Sequence, residues 1–257
     1  MIKYKTQEQI KLLAEGGKIL AKIVDLVSQK AKPGVTTGEL NEYAEQLIES
    51  AGDEGSFKNY QAAWAESVYP ASLCVSVNDE VVHGIPKFDR KLKDGDIVGL
   101  DCGLKYKGLY TDMAVTVPVG KIDKITQKLL NCTKSALMNG IKKIKPGRKL
   151  SDIAQAIQQR AEQDGFSVVK DLCGHGVGFA AHEDPQIPNY WPAYGVKDFV
   201  LEEGMVLAIE PMLNLGDYRV DSLDDGWTIV TADNSLSAHF EHTVAVTKSG
   251  FQILTQK

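Results

Sequence analysis

Asp101, Asp112, His175, Glu210 and Glu241 are five side chains of metal-binding type that recur in this order along the second two-thirds of the chain, each in a strand-like or glycine-flanked segment. Four carboxylates and one imidazole make a hard, oxygen-rich donor set, and carboxylates shared between ions would let it hold two divalent metals. Such a centre activates water. The reaction expected of it is hydrolysis of an unactivated bond such as an amide, with an adjacent carboxylate moving protons. Acidic residues are common, so order alone does not select these five. The sequence around each of them does.

The elements that must carry them come from a repeat. AKPGVTTGELNEYAEQLIESAG, from Ala31, aligns with IKPGRKLSDIAQAIQQRAEQDG, from Ile144. Lys32, Pro33 and Gly34 meet Lys145, Pro146 and Gly147; Leu40 meets Ile153, Gln46 meets Gln159, Glu49 meets Glu162 and Gly52 meets Gly165. Each copy reads as a Pro-Gly turn and an amphipathic helix closed by glycine. Thr36 and Glu39 have capping-box spacing, and Ser151 is the expected N-cap of the second copy. A longer helix precedes each copy, over 7–30 and about 124–144, and strand-rich sequence follows. The chain therefore reads as one catalytic unit over 1–257, with pseudo-symmetric halves of roughly 1–120 and 121–257.

Strands are expected over 73–77, 96–102, 109–117, 206–209, 227–231, 238–246 and 251–254, several of them alternating apolar and polar residues as a half-buried antiparallel sheet requires. Asp101 and Asp112 then fall on the two arms of a hairpin turning near Lys107 and Gly108, where their carboxylates can converge.

Composition excludes several classes. With 257 residues, 43% hydrophobic and 25% charged, and a formal charge of -5, the chain can bury a large core and has no global electrostatic reason to bind DNA or an anionic membrane. Lys142, Lys143, Lys145, Arg148 and Lys149 form one basic cluster, read as a solvated helix end and loop. Cys74, Cys102, Cys132 and Cys173 are scattered without a CxxC pair, as expected of reduced thiols in a cytoplasmic protein. The N-terminus lacks the pattern of a signal peptide, and no run of about 18 apolar residues occurs. No surface heptad demands a partner, so a monomer is expected.

VSVNDEVVHGIP (from Val75), DCGLKYKGLYTDMAVT (from Asp101), CGHGVG (from Cys173), IEPM (from Ile209) and HFEHTVAV (from His239) resemble, in order, the motifs of type I methionine aminopeptidases in their short bacterial form. The resemblance spans essentially the whole chain. It implies an α+β pita-bread fold, with pseudo-twofold duplicated helix-helix-strand halves and a central antiparallel curved sheet covered by helices. It also implies two divalent ions (Co, Mn or Fe, with Zn admissible), for which Asp112 and Glu241 match the bridging carboxylates. Asp101 matches the chelator of one ion, and His175 and Glu210 complete the other, Glu210 doubling as proton shuttle. His83 and His182 match residues that contact substrate and stabilise the tetrahedral intermediate. Tyr69, Cys74 and Trp227 match the methionine pocket. A monovalent cation, Na or K, is implied near Asn78, Glu80 and Ser237.

Ala181 stands where the bacterial relatives usually carry a bulky aromatic, and AAWAES before Val68 lacks the expected tyrosine, which leaves Trp64 or Phe179 to compensate. His239 and His242 flank Glu241 and, on strand alternation, point away from its face as structural residues. The small residues around His175 let backbone approach the site closely.

The function implied is removal of the initiator methionine from nascent polypeptide N-termini when the second residue is small, with a transient ribosome contact through the basic cluster admitted. Prolidase-like enzymes share the fold and much of the ligand set, but normally carry an extra N-terminal domain that this chain leaves no room for. A non-catalytic nascent-chain or RNA binder would be expected to have lost ligands, and all five are present.

Overall fold

The computed structural model describes residues 1–256; Lys257, the last residue of the expected catalytic unit, lies outside them. The first half runs α1 (Gln7–Lys30), α2 (Thr37–Ala51), β1 (Glu54–Gly55), β2 (Leu73–Val77), β3 (Glu80–Val82), β4 (Ile97–Tyr106) and β5 (Leu109–Pro118). The second runs α3 (Lys124–Ile141), α4 (Leu150–Asp164), β6 (Ser167–Val168), β7 (Gly174–Gly176), β8 (Glu183–Ile187), β9 (Val206–Ile209), β10 (Met212–Asn214), β11 (Val220–Ser222), β12 (Ile229–Thr231), β13 (Ser237–His239), β14 (His242–Thr247) and β15 (Gly250–Ile253). Helix, helix, strands occurs twice.

The repeat is visible in hydrogen bonds as well as in order. At the first Pro-Gly turn Gly34 N donates to Leu92 O and Leu92 N returns to Val35 O; at the second, Gly147 N donates to Leu201 O and Leu201 N returns to Arg148 O. Both turns carry a left-handed glycine, Gly34 at φ 92° and Gly147 at φ 86°, which a side chain would adopt only with strain. Thr36 and Glu39 form the anticipated capping box. The second copy differs: Lys149 is the N-cap of α4, its N–H bonded to Asp152. Ser151 instead bonds Asp198 through both its N–H and its hydroxyl, so a tertiary partner has taken the group expected to cap.

Among the described residues every paired strand is antiparallel, and the ladders fall into four groups. β4 lies between β2 and β5, while β14 and β7 flank β9 in the order β15-β14-β9-β7-β8. Two apolar cores sit between these ladders and the helices, one packing α1 and α2 on β2 and β4, the other packing α3 and α4 on β9 and β14. Burying one leucine contributes roughly 1.5–3 kcal/mol, so these two faces carry most of the stability. Among the described residues no helix is long and apolar enough to cross a membrane.

One junction decides where the site forms. The stretch 238–246, expected as a single strand, is broken at Phe240–Glu241, and the break is stitched to β5: Glu241 N donates to Ala114 O at 2.8 Å. Thr243 Oγ1 accepts from Asp112 N and donates to Asp112 O, each at 2.8 Å, and Thr116 Oγ1 does the same for His239, donating to its O and accepting from its N. Two threonine hydroxyls thus substitute for a ladder between the halves. Trp227 and Thr228, expected in a strand, instead donate their N–H groups to Asp225 Oδ1, so β12 begins later.

Candidate metal centre and substrate pocket

In the β4–β5 hairpin Asp101 pairs with Ala114 and Gly103 with Asp112, so the two aspartates stand diagonally on one face. The turn is a two-residue one with Lys107 at φ 48° and Gly108 at φ 82°, both left-handed, which suits the twist of the arms. The broken strand brings Glu241 to the same place from the other half. His175 arrives on β7 opposite Ala208, and Glu210 directly follows β9.

Asp112, His175 and Glu241 each present one ligand atom, all within 4.8 Å of one another. His175 Nδ1 lies 2.8 Å from Gly176 O, which makes Nδ1 the protonated nitrogen and leaves the Nε2 lone pair facing the carboxylates, 3.4 Å from Glu210 Oε1. Asp101 and Glu210 line the same cavity, of about 730 Å³.

The electrostatics call for a cation. Burial raises Asp101 to about 7 and Glu210 to about 8, and raises Asp112 and Glu241 well above the carboxylate range, with the neighbouring carboxylates adding repulsion for Asp112 and Glu241. Burial likewise lowers His175 to about 3. Asp101 Oδ1 and Glu241 Oε1 are buried without a hydrogen-bond partner. Four acids crowded in one cavity, two of them with unsatisfied buried oxygens, beside a neutral imidazole are costly alone and fit divalent ions well.

His83 occupies the left-handed region at φ 59°, uncommon for a histidine and costing on the order of 1–3 kcal/mol. It is held there by Gly84, whose O accepts from Val75 N and Tyr69 Oη and whose N donates to Ser76 Oγ. The result is a half-buried imidazole lining the cavity, with its Nδ1 buried and unpaired. His182 lies across it, its ring 4.2 Å from that of His175 and 4.9 Å from that of Tyr60. Desolvation lowers His83 to about 4 and moves His182, whose side chain stays open to solvent at the cavity, in the same direction, so both are neutral near pH 7 and donate through a single N–H.

Tyr69, Cys74 and Trp227 are buried together along one wall of the cavity. Trp64 closes that wall from outside, edge-on to Trp227 at 5.0 Å and stacked near His83 at 5.9 Å, whereas Phe179 turns outward and does not line the cavity. Of the two side chains expected to compensate for Ala181, Trp64 is the one that lines the cavity. Tyr60 supplies a tyrosine from just ahead of AAWAES, a position that no periodicity marks. Asn78, Glu80 and Ser237 adjoin: Ser237 N donates to Asn78 O, while the Glu80 carboxylate is occupied by Val77 N and Arg90.

His239 overturns the alternation argument. Because the strand breaks after it, His239 and Glu241 do not lie on one continuous pleat, and His239 lines the cavity with Nε2 3.6 Å from Glu210 Oε2. His242 does lie behind, bonded to Thr255.

The glycines beside His175 serve close approach. A Cβ on Gly174 would sit 2.3 Å from Ala208 O, and one on Gly176 2.1 Å from Asp184 O, both backbone atoms that cannot yield. Gly176→Ala should cost about 2–4 kcal/mol and displace β7. Thermal unfolding and a metal titration should show loss of both stability and metal affinity. An unchanged protein would mean that β8 moves freely.

The family model of metallopeptidase family M24 matches residues 11–248. A methionine aminopeptidase of Clostridium perfringens is 48% identical over 256 residues, covering 99% of each chain. Methionine aminopeptidase 1 of Bacillus subtilis is 47% identical, covering 100% of both. The crystal structure of the methionine aminopeptidase of Thermotoga maritima superposes with a TM-score of 0.94 at 43% identity, covering 100% of each chain.

Proposed function

The chain belongs to metallopeptidase family M24 and has the pita-bread fold of its methionine aminopeptidases, and from that premise we propose that it removes the initiator methionine from nascent chains whose second residue is small. The observation that carries this reading is the buried cluster of four carboxylates and His175, opening onto an apolar wall of Tyr69, Cys74, Trp227 and Trp64.

Asp112 and Glu241 would bridge two divalent ions, Asp101 would chelate one, and His175 with Glu210 would complete the other. When bound, Mn, Fe, Co or Zn supplies the positive charge that lowers the pKa of water and polarises a carbonyl. The chain's own groups do the rest. Glu210 accepts the proton of the attacking water at its carboxylate. His83 and His182 each donate a hydrogen bond to the oxygen on which charge develops, a service worth a few kcal/mol at the transition state. The thioether packs against the Cys74 thiol and the aromatic rings. Walls this close to the reacting amide leave room only for a small second side chain.

The matching hydrogen bonds at the two Pro-Gly turns support one catalytic unit with halves near 1–120 and 121–257. A monovalent ion, Na or K, would sit at Asn78, Glu80 and Ser237. The cations from Lys142 to Lys149 would make the transient ribosome contact of a cytoplasmic monomer.

The test is mass spectrometry of chelator-stripped protein reloaded with Mn or Co, acting on Met-Ala, Met-Gly, Met-Leu, Leu-Ala and Ala-Pro tripeptides. Methionine should leave Met-Ala and Met-Gly alone. Trp64→Ala should raise KM for Met-Ala about tenfold, the equivalent of about 1.4 kcal/mol, and admit leucine release. Cleavage only before proline would move the chain to the prolidases, and no metal-dependent cleavage would sink the enzymatic reading.

A further inference from the structure

Lys5 is a lysine with almost no access to solvent in a segment that precedes every helix and strand, and the chemistry above does not use it. Its N–H donates to Gly204 O at 2.7 Å, and its side chain passes over Gly178, where a Cβ would meet Lys5 Cε at 2.5 Å. The Nζ ends 3.1 Å from Glu183 Oε1 and 3.2 Å from Lys3 O, with the Lys5 side chain 1% exposed and that of Glu183 2%.

The same Glu183 oxygen accepts from Phe179 N at 2.5 Å and Ala180 N at 3.3 Å, and Gly178 N donates to Ala180 O. The loop from Gly178 to Glu183 is thus wound round one carboxylate. His182 is the residue just before that carboxylate. Among the described residues its ring makes no hydrogen bond and is aimed only by packing on His175 and Tyr60 and by the backbone of this loop.

Stability does not account for such a pair. Burying two charges costs several kcal/mol each before their attraction returns any of it, and an apolar pair would tie down the segment as well or better. Burial also lowers the Lys5 pKa, the sign of that penalty. A charge pair supplies direction, because Nζ must point at Glu183 and Lys3 O to be satisfied.

We propose that Lys5 and Glu183 are positioning residues for catalysis: their buried ion pair locks the Gly178–Glu183 loop and thereby aims the His182 ring at the reacting centre. The proposal rests on the role given to His182 above. An error of about 1 Å in such a group costs on the order of a hundredfold, so even partial loosening is measurable.

The experiment is a cycle of Lys5→Met in the wild-type and His182→Ala backgrounds, with kcat and KM on Met-Ala-Ser, metal content and thermal midpoint recorded for each. At full metal occupancy Lys5→Met should lower kcat at least about tenfold with KM within twofold, the pattern of an interaction acting in the transition state. In the His182→Ala background it should change kcat less than twofold, although the thermal midpoint shifts equally in both. A structural role alone would move the midpoint and spare this difference. If Lys5→Met does not fold, Glu183→Gln carries the same test, since its amide oxygen still accepts from Phe179 and Ala180. A wild-type-like kcat, or equal losses in both backgrounds, overturns the proposal while His182→Ala remains slow. A silent His182→Ala overturns the role of His182 and the proposal with it.

Discussion

Replacing Asp112 or Glu241 by alanine should lower kcat/KM by at least about a thousandfold, with metal lost in parallel, because each carboxylate would serve both ions and neither has a substitute. Both side chains are buried, at 3% and 2% exposure, so bulk water cannot restore the missing ligand at low cost. Elemental analysis after dialysis against Mn or Co, beside kinetics on Met-Ala-Ser, checks both halves. Normal turnover by metal-loaded Asp112→Ala would remove the site assignment.

The same cluster gives this prediction a thermodynamic side. Asp101 and Glu210 titrate near 7 and 8 in the metal-free fold against ordinary values of 3.8 and 4.5. Groups whose folded pKa is raised stabilise the fold fully below their unfolded pKa and lose that contribution as pH rises through the folded one. Chelated protein should therefore lose stability between about pH 4 and 8. Added metal should stabilise most at the upper end, because the ions bind the ionised form. In the metal-free state Asp112→Ala removes one of the repelling acids and should not lower the thermal midpoint at pH 8. Urea titrations at pH 5 and 8, with and without Mn, test the sign.

His83→Asn should retain metal and lower kcat about a hundredfold to a thousandfold, the loss expected of one donor to a developing oxyanion. Asparagine is chosen because it tolerates the φ of 59° that His83 adopts, so the backbone strain is preserved while the imidazole is removed. His83 is not one of the five side chains proposed to hold the ions, which is why metal content should hold. Alanine would add the cost of an unfavourable backbone and should destabilise further. Loss of metal together with activity would make His83 a ligand or a structural support, and the transition-state role would fall.

Much of this molecule is legible without coordinates. The repeat at Pro33-Gly34 and Pro146-Gly147, helix α1, strands β2 and β9, and the β4–β5 turn at Lys107-Gly108 follow from capping, glycine chemistry and periodicity, all of which act within a few residues. The five ligand-type residues are legible for a related reason: their donor chemistry does not depend on where the chain takes them. The readings that changed are those in which a distant partner outcompetes a local preference. Ser151 bonds Asp198 and leaves the cap to Lys149.

The sequence by itself determined which side chains can bind metal, that two similar halves would present them, and that Asp101 and Asp112 share one hairpin face. Only the tertiary structure decided that the strand after His239 breaks, that Glu241 is delivered to β5, that His239 turns into the cavity, that Tyr60 and Trp64 close the pocket, and that Lys5 reaches Glu183. The physical reason is range. Alternation and capping are set by neighbours, whereas Thr243 bonds Asp112 across 131 residues and Lys5 meets Glu183 across 178, contacts whose geometry exists only once both cores have packed.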